Sequence, residues 1–197
     1  AYVNDFDRTH RAETIIAEYQ EFSKAELEEK NIDGINLAGR IVLKRVMGNA
    51  SFITIRDELS DLQAYVSKND IGEDDYADFK TWDIGDIVGL SGKLFRTKTD
   101  ELTVHCSAVT MITKSLKPMP EKHKGLSDIE TRYRQRYLDL MSNNETKELF
   151  LSRSKILDSV RTTMKAAEFM EVETPMMHSL PGGAVARPFI TKHNALN

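Results

Sequence analysis

Five segments in which apolar residues recur at every second position follow one another from Ile35 to Thr113, and nothing else limits the possible fold as sharply. They read INLAGRIVLKRV, SFITIRD, LQAYV, DIVGLSGKLFRT and ELTVHCSAVTMIT. Successive side chains of a strand point to opposite faces, so each run is built to bury one face and show the other. Met47-Gly48-Asn49 separates the first run from the second, and Glu58 to Asp61 separates the second from the third. Short strands with open edges invite pairing with other chains, and closing the sheet on itself removes the edges. A small five-stranded barrel is therefore expected.

Between the third and fourth runs, DDYADFKTW sets Tyr76, Phe79 and Trp82 at helical spacing, suited to plug one end of a barrel. Strand, strand, strand, helix, strand, strand is the order of the OB fold. The expected organisation is an N-terminal helical segment over 1–33, an OB-fold domain over 34–115, a linker over 116–126 and the start of an α+β domain over 127–197. In the first segment, Ile15, Ile16, Tyr19 and Phe22 share a helical face, and Ser23 with Glu26 forms a capping box that starts a second short helix. The linker, SLKPMPEKHKG, carries two prolines, several charges and a closing glycine. Beyond it, Ser127 and Glu130 suggest another capping box ahead of ETRYRQRYLDLM, and Asn143 or Asn144 caps a longer helix. That helix turns Leu149, Ile156, Leu157, Val160, Met164 and Ala167 toward a core. FMEVETP and RPFIT read as strands and PGGA as a turn. The polar end of the chain, with no methionine at its start, suggests a fragment of something longer.

Composition narrows the chemistry. No run approaches the roughly 20 apolar residues of a membrane span, so a cytoplasmic protein with no membrane partner is expected. The net charge of −4 is uneven: residues 1–33 hold nine acids against four bases, which leaves the remainder slightly basic. The single cysteine, Cys106, sits in an alternating run and reads as a small buried residue. The histidines have no metal-ligand spacing. Neither a P-loop nor a dinucleotide-binding glycine fingerprint is present.

Three stretches, AGRIVLKRVMGNASFITIRD, KGLSDIETRYRQRYLDLM and FMEVETPMMHSLPGGAVARPFITKHNAL, closely resemble the bacterial lysyl-tRNA synthetase family, and the similarity runs from about Asn4 to Asn197. The resemblance implies an anticodon-reading OB barrel joined to the opening of a class II catalytic domain. It implies a parent enzyme that is a lysine–tRNA ligase, with tRNA-Lys, lysine and ATP as partners and Mg²⁺ as a cofactor. The third stretch is similar to motif 1, which implies a homodimer with Glu173, Pro175 and Met176 near the twofold axis. It also implies that Gly182, Gly183 and Ala184 border the lysine pocket. ATP-gripping arginines and metal-binding acids belong to later motifs in that family, so no catalytic or metal-ligating residue is expected in this segment, which should be inactive alone.

Unpaired bases are held by stacking on rings and by hydrogen bonds to their edges. The resemblance implies that Phe52 stacks on the central anticodon base, that Glu101 contacts the same base, and that Gln63 contacts a neighbour. Read alone, Phe52 fits barrel core equally well, and Glu101 fits a solvated turn. Lys44 and Arg45 offer positive charge beside Phe52, and Lys93, Arg96 and Lys98 offer phosphate contacts that position without specifying. Arg132, Arg134 and Arg136 splay around a helix and read mainly as domain-packing residues. The alternatives are an aspartyl or asparaginyl synthetase, a general single-strand-binding OB module, and a non-catalytic dimerisation module.

Overall fold

The structure is a computed structural model that describes residues 5–58, 60–120, 126–176, 189–192 and 194–195. It forms two compact units, residues 1–144 and 145–197.

The first unit is built on β1 (Ile35–Met47), β2 (Ala50–Arg56), β3 (Asp61–Ser67), β4 (Ile87–Arg96) and β5 (Leu102–Thr113). They close into a barrel in the order β1-β2-β3-β5-β4. Closure depends on β1, which pairs with β4 through Ile35 to Arg40 and with β2 through Arg40 to Met47. A β-bulge between Ile41 and Leu43 bends it from one partner to the other. There Ile41 donates its N–H to Asp86 O and accepts from Gly85 N, each at 2.8 Å. Gly39 is needed at this bend, because a Cβ there would lie 2.8 Å from Arg56 O. A short parallel pairing of Gln63–Tyr65 with Thr103–His105 completes the ring.

The alternating pattern predicts the core. Leu37, Ile41, Ile53, Ile55, Ala64, Val66, Val88, Leu90, Val104 and Cys106 are all 1% exposed or less. Burial pushes the Cys106 thiol well above its ordinary value, so it stays a neutral packing group.

The expected helix after β3 arrives in two pieces, α1 (Lys68–Ile71) and α2 (Glu73–Lys80), divided at Gly72 with φ 94°. Tyr76, Phe79 and Trp82 enter the core, and full burial of Phe79 contributes about 2 to 3 kcal/mol. Tyr76 keeps its hydroxyl satisfied through Ser51 Oγ at 2.8 Å and Gly48 O at 3.1 Å. The N-terminal helices, α3 (Ala12–Tyr19) and α4 (Lys24–Lys30), join the same core through Ala12, Ile15 and Leu27. The capping box forms as expected: Ser23 Oγ accepts from Glu26 N, and Ser23 N donates to Glu26 Oε2 at 2.7 Å.

Beyond the barrel, ETRYRQRYLDLM breaks into α5 (Ile129–Arg134) and α6 (Arg136–Ser142) around Gln135, where φ is −119°. Asp128, rather than Ser127, caps α5 by accepting from Thr131 N at 2.8 Å. A carboxylate is as good a cap as a hydroxyl, and one register step moves the helix start. The break lets Arg132 Nε and Arg136 Nη1 reach the fully buried Asp139 at 3.0 and 2.5 Å, while Arg134 pairs with Glu130.

The second unit contains most of α7 (Asn144–Ala166), which follows the extended Asn143. Its apolar face is exposed, Leu149 at 67% and Ile156 at 63% among others, so the core expected against it is not formed among the described residues. FMEVETP is not a strand: residues 169–175 are irregular, because a strand exists only where a partner completes its hydrogen bonds. PGGA lies outside the described residues, and the described part of RPFIT, Phe189 to Thr191, is irregular as well.

Two consequences can be measured. Asp86 is fully buried and accepts from Asp83 N, Ser115 N and Lys114 Nζ at 2.7 to 2.8 Å. Burial opposes its charge, but these donors outweigh burial and hold its carboxyl below the ordinary value. Stability from this group is complete above about pH 4 and is lost as pH falls through the lowered native value. Asp86→Asn should cost about 2 kcal/mol at pH 7 and flatten the acid limb of a Tm-versus-pH curve. Gly92 is the second site: a Cβ there would lie 2.0 Å from His105 O. Gly92→Ala should therefore destabilise the barrel by about 3 kcal/mol in urea unfolding.

Candidate nucleic-acid interface

Where Ile53, Ala64, Leu94 and Val104 point inward, their neighbours on each strand point out. Strand register arranges those outward residues in two cross-strand rows. One runs Arg45, Phe52, Tyr65, His105, Lys93, each opposite the next, and the other runs Leu43, Thr54, Gln63, Thr103, Phe95. An open cavity of about 460 Å³ lies over the Phe52 end of these rows. Arg45, Phe52, Thr54, Asp61, Gln63 and Glu101 line it, with Thr97 and Thr99 from the β4–β5 loop.

The polar floor of the cavity is oriented. Gln63 Nε2 donates to Glu101 Oε2 at 2.6 Å, and Gln63 Oε1 accepts from Thr103 Oγ1 at 3.0 Å. With an acceptor carboxylate on one side and a hydroxyl donor on the other, only one orientation of the amide satisfies both. Glu101 is held through its backbone as well: its N–H donates to Thr97 Oγ1 and its carbonyl accepts from Thr97 N, both at 3.1 Å. Asp100, with φ 62°, makes the tight turn that delivers Glu101 to this place. Among the described residues, the second hydrogen of the Gln63 amide and the second oxygen of Glu101 have no further hydrogen-bond partner, and both residues line the cavity. Asp61 at its margin is gripped in two-pronged fashion by Arg56 at 2.6 and 2.9 Å.

Of the residues singled out in the sequence, the structure brings Arg45, Phe52, Gln63 and Glu101 together on this cavity. Lys44 is not with them. Its ammonium donates to Phe79 O, Lys80 O and Trp82 O at 2.8, 3.1 and 2.7 Å and sits 4.7 Å above the Phe79 ring. It caps the C-terminal end of α2, where orphan carbonyls attract a cation. Burial, first, lowers its pKa against the pull of Asp83 and Asp86. The expectation that Lys44 serves the interface is corrected: neighbouring strand residues point to opposite sides, and only Arg45 faces out.

Arg96 is corrected likewise. It is 5% exposed and donates to Phe22 O and Asp100 O at 2.6 Å and to Gln20 O, so it ties the N-terminal helices and the β4–β5 loop to the barrel end. With three of its five N–H groups on carbonyls and almost no exposed surface, this guanidinium is withdrawn from any phosphate outside. Lys93 and Lys98 are exposed and lie outside the cavity lining. Glu173, Pro175 and Met176 lie in the irregular stretch of the second unit, and Gly182, Gly183 and Ala184 lie outside the described residues.

Sequence reasoning missed the companions of Phe52. Tyr65 lies 5.2 Å from it, Phe95 lies 6.1 Å from Tyr65, and His105 lies 5.2 Å from Tyr65 and 5.5 Å from Phe95. His105 Nε2 bonds Asp70 Oδ2 at 2.8 Å, and the same oxygen accepts from Ser67 Oγ. Burial works against the Asp70 charge, but these two hydrogen bonds, with nearby Lys93, hold its pKa below the ordinary value. The signal was available, since all four rings stand at outward positions of their alternating runs. Among the described residues, no group of three or more His, Cys, Asp or Glu could hold a metal ion, and no helix is long and apolar enough to cross a membrane.

Comparison with known proteins gives two matches by domain. Residues 35–112 match the model of the OB-fold nucleic acid binding domain, and residues 128–197 match that of the class II tRNA synthetases (D, K and N). Over 197 residues, all of this chain, it is 50% identical to a lysine–tRNA ligase of Laribacter hongkongensis and 52% identical to one of Azoarcus sp.. It is 51% identical over 198 residues to a lysine–tRNA ligase of Yersinia enterocolitica. In each case the chain spans 39% of the relative's length.

The two adjacent cations of β1 should separate stability from binding. Lys44→Ala should cost about 2 kcal/mol in thermal unfolding and leave the salt dependence of single-strand binding unchanged. Arg45→Ala should leave Tm within about 1 °C of the parent. It should also weaken RNA binding and reduce the slope of log affinity against log salt by roughly one unit.

Proposed function

We propose that this chain, whose residues 128–197 match the class II tRNA synthetases (D, K and N), is the N-terminal part of a lysine–tRNA ligase whose barrel reads the anticodon of tRNA-Lys. One observation carries the proposal: a ring, an oriented amide, a carboxylate and a guanidinium converge on one open cavity of a barrel's outer face.

The chemistry fits an unpaired uridine. Uracil presents an N3–H donor between two carbonyl acceptors. Glu101 accepts from N3–H, Phe52 supplies the stacking surface, and the remaining Gln63 N–H serves a neighbouring base of the anticodon. Cytosine carries a lone pair at N3, so the carboxylate repels it, and the unmatched polar groups cost on the order of 1 to 3 kcal/mol. The protein side is set before the base arrives, since Thr103 and Thr97 already hold Gln63 and Glu101 in place. Preorganisation of this kind spares the binding step the cost of ordering side chains.

In the parent enzyme, the lysine carboxylate attacks the α-phosphate of ATP to give lysyl-adenylate and pyrophosphate, and the lysyl group then passes to a terminal ribose hydroxyl of the tRNA with release of AMP. Among the described residues no group of three or more His, Cys, Asp or Glu could hold a metal ion, and no step of that chemistry falls to them. Gly182, Gly183 and Ala184 are proposed to border the lysine pocket, where glycines let backbone approach a ligand. Glu173, Pro175 and Met176 are proposed to pack at a homodimer axis. Lys93 and Lys98 are proposed to meet phosphates. The proposed setting is the cytoplasm.

A lysine anticodon stem-loop titrated at fixed moderate salt should bind at least several-fold tighter than a copy with cytidine at the middle position. Phe52→Ala should weaken the uridine loop by about 1 to 3 kcal/mol. Equal binding of all loops would reduce the barrel to a general single-strand binder.

A further inference from the structure

The turn between β2 and β3 carries a contact that neither the barrel core nor the uridine chemistry uses. Arg56 and Asp61 stand opposite each other in register where the two strands enter it. Asp61 lines the cavity, and both of its oxygens are held by Arg56, from Nε at 2.6 Å and from Nη2 at 2.9 Å. The remaining nitrogen, Nη1, donates to Met141 O at 3.3 Å, in the last turn of α6. One planar guanidinium thus spans from the wall of the cavity to a helix within the residues that match the class II synthetases. Both ends of this bridge are anchored. Asp57 Oδ2 accepts from Ala12 N at 2.6 Å and ties the turn to α3. The fully buried Asp139 holds α6 through Arg132, Arg136 and Asn143 Nδ2 at 2.5 to 3.0 Å. A donor–acceptor distance of 3.3 Å is long for such a bond, whereas the two contacts with Asp61 are short. The slack in the bridge is at Met141.

We propose that Arg56 is a positioning residue that transmits occupancy of the cavity to α6, because RNA seated against Asp61 shifts the guanidinium at its Met141 contact. The proposal rests on the reading that the cavity receives single-stranded RNA, and it adds a route by which the filled state registers outside the barrel. Solvent decides the sequence of events. The side chains of Arg56 and Asp61 are 23% and 34% exposed, so water still screens the pair. RNA over the cavity removes water from the carboxylate and changes its hold on the guanidinium, since attraction between charges grows as solvent is excluded. A rigid fork cannot change its hold at one end without turning at the other. The β2–β3 turn and α6 are fixed by their own bonds, so the adjustment falls on the longest contact. By linkage, whatever alters the Met141 contact from the side of α6 acts back on RNA affinity by the same factor.

The test uses the full chain and nuclear magnetic resonance of one peptide bond. Met141-Ser142 is the only Met-Ser step in the sequence, so carbonyl carbon-13 methionine with nitrogen-15 serine marks that bond alone. The carbonyl resonance responds to the hydrogen bond that its oxygen accepts. Saturation with the lysine anticodon stem-loop should shift the Met141 signal in the parent protein. Arg56→Leu should lose that response when saturated with the same loop. Asp61→Asn cuts the bridge from the cavity end and provides a second variant, should Arg56→Leu fail to fold. Its response should be lost as well, read at saturation so that altered affinity does not enter. A bound loop that leaves the parent's Met141 signal in place overturns the proposal, and so does a shift that persists in the folded variants. The uridine-to-cytidine ratio from the same titrations reports the selectivity of the cavity, so failure of the bridge and failure of anticodon reading are distinguishable.

Discussion

Everything on the outer face of the barrel depends on β1 pairing along both of its edges. Its first half belongs to β4 and its second to β2, and the bulge at Ile41 to Leu43 turns it from one to the other. Without that turn the sheet would stay open, and the rows that set Phe52 beside Tyr65 and Gln63 beside Thr103 would not form. Because side chains alternate along every strand, a slip of one residue would send the whole set of rings and amides inward. The close approach at Gly92, where β4 tolerates no Cβ against His105 O, pins the register of the last pair. Site and fold are therefore specified by the same hydrogen bonds.

Charge on this surface is sorted by what each group can reach. Lys44, Arg96, Arg132 and Arg136 are directed to carbonyls or to a buried carboxylate. Arg45, Lys93 and Lys98 are left to the solvent side. Hydrogen bonds from a charged donor to buried acceptors are worth more than exposed ion pairs. The first group thus holds the first unit together and the second is available to a polyanion. A chain of net charge −4 can in this way still expose cations on the outer face of its barrel.

Much of this was legible in the sequence. Period-two patterning identified all five strands, and the spacing of Tyr76, Phe79 and Trp82 identified the plug, because burial of one face is a local and repetitive demand. Phe52, Gln63 and Glu101 were marked by family resemblance and Arg45 by its charge beside Phe52, and strand register then placed them on one cavity. The roles of Lys44 and Arg96 were not legible, since charge says nothing about which carbonyl a long side chain will find. Nor was the split at Gln135, where the pull of Asp139 on two arginines overrides helix continuity. The strand expected over FMEVETP depends on a partner strand that local propensity cannot supply.

The central claim is that Glu101 reads the N3–H of a middle uridine. The most direct test is a double-mutant cycle that crosses Glu101→Ala with 3-methyluridine in place of uridine at the middle of the loop. A direct hydrogen bond predicts that each single change weakens binding and that the two together cost less than their sum, with a coupling above about 1 kcal/mol. Additivity within about 0.5 kcal/mol would mean that the carboxylate and the base do not meet, and would contradict the assignment of this cavity.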